Sequence, residues 1–225
     1  MGKDNQPKHR QQARELIRSA ARRAPFDRVL IVCEGEKTEP RYINEIRSDY
    51  CLSTANVQVR PSALGTQPLQ VVDYAEELFC NGDPSKAIEP RAFDRVVAVF
   101  DRDDHASYAQ ALAKTEARNG KLKNDAGERV PFQAVASVPC FELWLLLHFE
   151  DVHAPIHRNV VFDRITAHIP GYEKGQGGHW AATKDRLNAA TQRALARAAV
   201  TNAHNGHEPF TAMHELVSRL IHLKD

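Results

Sequence analysis

The sequence predicts an α/β protein built on a mostly parallel sheet with flanking helices and appended C-terminal helices. Three observations carry that expectation: short, continuous apolar runs recur between residues 28 and 149, each ends in a polar or acidic turn, and most of those turns open a stretch with apolar residues at helical spacing. A strand that is apolar at every position, rather than at alternate ones, is covered on both faces, as in a parallel sheet between helices.

The first run is Arg28-Val29-Leu30-Ile31-Val32-Cys33, which stops at Glu34-Gly35. Thr38 is placed to N-cap a helix, Pro40 is tolerated in its first turn, and Tyr42, Ile43, Ile46 and Tyr50 follow at helical spacing. Asn56 to Arg60 alternates as a short strand, and Thr66-Gln67-Pro68 opens a helix with Leu69, Val72, Ala75 and Phe79 on one stripe. Asn81-Gly82-Asp83-Pro84 is a turn cluster. Arg95 to Phe100 is the next buried run; Asp101-Arg102-Asp103-Asp104-His105 follows at once, then an alanine-rich helix from near Ala106. Pro131 to Val138 reads as a further strand and Cys140 to Phe149 as an apolar helix, an order that implies right-handed βαβ units. Beyond Asp151 come histidines, prolines and the Gly175-Gln176-Gly177-Gly178 loop, with two helices expected from about Thr183 to Val200 and from Thr211 to Leu223.

A chain of 225 residues, 42% hydrophobic and 26% charged, suits one main domain: a basic leader over 1–25 and a folded unit over 26–225. The formal net charge of +1 gives no global attraction to nucleic acid, so any such contact rests on local patches. The leader is one, with Lys3, Lys8, Arg10, Arg14, Arg18, Arg22 and Arg23; a solvated tail is the plainer reading of it, phosphate or partner contact the other. Cys33, Cys51, Cys80 and Cys140 are far apart, which points to reduced thiols in a cytoplasmic protein rather than to zinc. No stretch approaches the roughly 20 apolar residues of a membrane helix, and the start of the chain lacks the apolar core of a signal peptide, so no membrane partner is expected.

Ligands of parallel sheets bind outside the carboxyl ends of the strands, and both acidic clusters fall there. Neighbouring carboxylates repel unless a cation lies between them, and a hard divalent ion is the simplest remedy. Magnesium, or manganese, takes oxygen ligands, so Glu34, Asp101 and Asp103 fit as a metal set, with Glu34 or Glu39 able to orient or deprotonate water. Each cluster alone also reads as helix capping or a charged turn. Glu142 lies in the first turn of a helix apolar around its circumference, so its carboxylate needs a partner, a salt bridge or the metal site. Lys37, Lys174 and Lys184 are candidates for substrate phosphate, against the plainer reading of solvated charge. The glycine loop is not a P-loop, because no strand precedes it and no GK[ST] follows. His148 reads as a core histidine rather than a ligand.

The segments Ile31–Pro40, Val99–His105 and Ser137–Trp144 together resemble the RloB-like proteins, a family similar to Toprim domains; Glu208 to His214 resembles a closing motif of that family. The resemblance implies a Toprim-like fold from about residue 26 onward and a magnesium site on Glu34, Asp101 and Asp103. The Glu-Gly-x-x-Thr-Glu pattern, shared with nucleases of the OLD type, adds Glu39, and Glu142 is retained; Val138 departs from the family's usual Asn. The implied role is that of a nuclease cutting RNA, tRNA among the candidates, or DNA as an anti-phage, abortive-infection effector beside a separate ATPase. The alternative is a non-catalytic regulatory or nucleic-acid-binding subunit with the same cleft; a phosphatase is a third possibility.

Overall fold

The computed structural model describes residues 26–225, so the basic leader lies outside the described residues. A five-stranded sheet runs in the order β2 (Val57–Pro61), β1 (Val29–Cys33), β3 (Arg95–Asp101), β6 (Phe132–Val138), β7 (Phe210–Thr211). The first four are mutually parallel and β7 is antiparallel to β6. All of β1 is buried, as its uninterrupted apolar run requires.

Helix α1 (Thr38–Asp49) carries the chain from β1 out to β2, and α2 (Pro68–Asn81) carries it back past β1 to β3. Right-handed crossovers in opposite directions put their helices on opposite faces. Accordingly α2 packs on β1 and β3 beside α3 (Tyr108–Arg118), while α1 packs on β2 and on α8 (Met213–Ile221). The reversal makes the carboxyl ends of β1 and β3 a topological switch point, where a crevice opens. Glu34 and Asp101 stand at that point.

The remaining elements are a hairpin of β4 (Leu122–Lys123) and β5 (Arg129–Val130), then α4 (Glu142–Leu147), α5 (Arg158–His168), α6 (His179–Thr183) and α7 (Leu187–Ala198). Several differ from the sequence expectation for identifiable reasons. The apolar helix expected over Cys140–Phe149 is regular only over α4; its flanks are tightened by i→i−3 bonds such as Leu143 N–H to Cys140 O and His148 N–H to Leu145 O. The helix expected from Thr183 to Val200 is broken by a 3₁₀ turn at Lys184–Arg186. Phe210–Thr211 is an edge strand rather than the start of a helix, because Thr211 pairs with Ser137. Helix α5 was not expected: only Val161 and Ile165 of it are buried, too few to draw a stripe.

Candidate metal centre

Strand β1 ends at Cys33, and the Glu34 N–H donates to Val99 O at 2.9 Å, extending the ladder by one bond and holding Glu34 against β3. Its carboxylate turns across the crevice: Oε2 accepts from the Asp101 N–H at 2.9 Å, and Oε1 lies 3.1 Å from His105 Nε2. Asp101, the last residue of β3, is buried. Asp103 has φ +36°, a left-handed value that is strained for a side chain with a Cβ. It is fixed there by bonds from Arg102 N–H to Ser137 O and from Asp103 N–H to Pro139 O, at 2.8 and 3.0 Å. The strain aims the Asp103 carboxylate back toward Glu34 and His105, and ligand atoms of these three residues lie within 4.8 Å of one another.

Glu39 comes from the first turn of α1 and is buried. Gly35 makes room for it: a Cβ there would stand 2.1 Å from Glu39 Oε2. The sequence places Thr38 at the N-cap of α1, but Lys37 holds that position, and the Thr38 hydroxyl instead accepts from the Gly175 N–H at 2.9 Å. Along the same helix Arg41 donates to Gly175 O, and Glu45 accepts from the N–H groups of Gly178 and Trp180. Helix α1 thus holds the glycine loop and with it Lys174, whose Nζ is 3.5 Å from Glu142 Oε1. Gly175 has φ +78°, and Lys37 packs against it, so a side chain there would be both strained and crowded.

Glu142 is 1% exposed, and its Oε1 also accepts from the Tyr172 hydroxyl at 3.0 Å. Its Oε2 and Asp103 Oδ1 are buried with no hydrogen-bond partner among the described residues. Glu34, Glu39, Asp101, Asp103 and Glu142 line one cavity of about 420 Å³, together with His105, Lys37, Lys174 and Arg158. Lys184 is not among them; it pairs with Asp49 at 3.2 Å, on the last turn of α1. His148 is held by its Nδ1 against Trp144 O in the core, its pKa pushed down to about 4 by burial.

Burial is the first cause of every resolved shift among these carboxyls. It pushes Asp101 well above the ordinary range, reinforced by Glu39, Glu34, Glu142 and Asp103. Glu39 rises to about 7 through burial, reinforced by Glu142 and Glu34. Glu34 also rises, against the Asp101 N–H and His105, and Asp103 rises against the cation of Arg158, which forms an ion pair with it. Buried like charges and orphaned acceptors of this kind are relieved by a bound cation, and the donor set of carboxylate oxygens and one imidazole fits a hard to borderline divalent ion.

Reading the sequence missed His105 and Arg158 as site residues. His105 had a signal, since it follows Asp101 and Asp103 in the same acidic turn; Arg158 had none, because it opens a helix with no visible apolar stripe. Comparison with curated proteins and with solved structures gave no match. A family model, described as RloB-like protein, matches residues 29–220, a span that includes every carboxylate of the cleft. The chain therefore belongs to the RloB-like protein family.

Proposed function

We propose that this protein is a magnesium- or manganese-dependent phosphodiesterase that cuts RNA, tRNA among the candidates, or DNA, serving as an anti-phage effector in the cytoplasm beside a separate ATPase. The observation that carries the chemistry is the convergence of five carboxylates on one cleft rimmed by cations, with Glu39, Asp101 and Glu142 buried, Glu34 and Asp103 half-buried, and orphaned oxygens on Asp103 and Glu142. The defence role and the ATPase follow from the family resemblance alone.

In this reading Glu34, Asp103 and His105 would hold the ion, with Asp101 beside them. The bound ion would polarise the phosphate and stabilise the leaving oxygen. Lys37, Lys174 and Arg158 would meet substrate phosphate from the rim, Arg158 through its planar fork. Glu39, with its pKa near 7, can hold or release a proton at working pH, which suits general acid–base work on water or leaving group.

The test incubates the full chain with labelled tRNA, single-stranded DNA and duplex DNA, with magnesium or manganese and then with chelator. Cleavage of at least one substrate is expected, lost on chelation and reduced by roughly 10²-fold or more in Asp101→Asn. Activity that persists through both changes would place the chemistry elsewhere.

A further inference from the structure

A second cavity, of about 250 Å³, adjoins the acidic cleft and shares Asp103 and Arg158 with it. The ion pair between those two residues forms the partition. On the far side the lining is Asp104, Pro139, Pro155 and Ile156, with His157 and His207. None of these side chains has a role in the cleft chemistry proposed above.

We infer that this cavity is a subsite for one unpaired nucleobase of the substrate strand, next to the phosphate held in the cleft. The inference rests on the reading of the cleft as a phosphodiesterase site and names the substrate class: a single-stranded or looped nucleic acid. Three features favour a base. The proline rings and Ile156 offer an apolar wall, and imidazoles supply π faces on which a flat heterocycle stacks whatever its sequence. His157 Nδ1 accepts from the Asn159 N–H at 3.2 Å, so its proton sits on Nε2, a donor for the polar edge of a base. Arg158 stands between the two cavities, where a nucleotide bound across them carries its phosphate. A paired base would be stacked inside its helix and out of reach.

The experiment titrates the full chain with cytidine 5′-monophosphate and with ribose 5-phosphate in the presence of manganese, and measures manganese binding separately. The nucleotide is expected to bind roughly ten-fold or more tightly than the sugar phosphate, through base stacking. His157→Asn with His207→Ala should erase that difference and leave manganese affinity unchanged; Asn preserves the N-cap of α5. Equal affinities in the wild type, or a preference that survives in the double variant, would overturn the subsite. If manganese binds and the preference is absent, the subsite alone fails. If the preference is present and erased as expected but manganese does not bind, the metal reading fails and the subsite stands.

Discussion

Glu39 is a carboxyl whose ordinary pKa of 4.5 is pushed up to about 7 by burial and by Glu142 and Glu34. Below about pH 4.5 it is protonated in the folded and the unfolded chain alike. Between there and about 7 the native state keeps a proton that the unfolded chain has lost, so this group's contribution to stability declines as pH rises through that window. At pH 8 with chelator, Glu39→Gln should be more stable than wild type by on the order of 3 kcal/mol, and near pH 4.5 the two should be alike. Urea unfolding at both values measures this, and comparing variant with wild type cancels the opposite slope of buried His148. An equal gap at both pH values would mean that the carboxyl is not penalised by its surroundings. Gly35 gives a second handle on the same residue. In Gly35→Ala the new methyl displaces the Glu39 carboxylate, and cleavage should fall on the order of 10²-fold, the scale of a misplaced catalytic group. The melting temperature should move little, since the clash lies at the far end of a side chain.

Helix α1 does two jobs with one sequence. Its buried face, Tyr42, Ile43 and Ile46, fixes it to the core, while Thr38, Arg41 and Glu45 hold the glycine loop that brings in Lys174. Thr38→Val would leave the Gly175 N–H without its acceptor, at a cost of about 1 kcal/mol. KM for a nucleic-acid substrate should rise with kcat less affected, because Lys174 would lose its position rather than the chemistry its groups; steady-state kinetics separates the two. This tether also shows what a sequence withholds. The hydroxyl of Thr38 looks the same whether it caps its own helix or binds a loop 137 residues away. Strands β1 and β3 were legible from their unbroken apolar runs over Val29–Cys33 and Val96–Phe100, and β6 because only Gln133 and Ser137 interrupt its apolar residues; the acids after β1 and β3 could be counted from the sequence. That Glu34 and Asp101 touch depended on β1 and β3 being neighbours, a property of strand order that no local pattern encodes. Phe210–Thr211 is too short to show a period, and α5, which supplies Arg158, buries too little to show a stripe.

At the scale of the molecule, every element converges on one consequence. Opposed crossovers open a crevice between β1 and β3, α1 and α4 bring Glu39 and Glu142 to it, and the resulting cleft gathers more carboxyl groups than its rim has lysines and arginines, with burial and mutual repulsion pushing the pKa of Asp101 up. Such a cleft should take up a divalent cation and release protons as it does so, because carboxyls with raised pKa values must ionise to bind. The most direct measurement is a calorimetric titration of manganese into chelator-treated protein at about pH 6.5, in buffers of different ionisation heat, with Glu34→Gln and Asp103→Asn beside the wild type. The account predicts saturable binding with net proton release in the wild type, weakened roughly ten-fold or more in each variant. Absence of saturable binding, or binding indifferent to both substitutions, would contradict it.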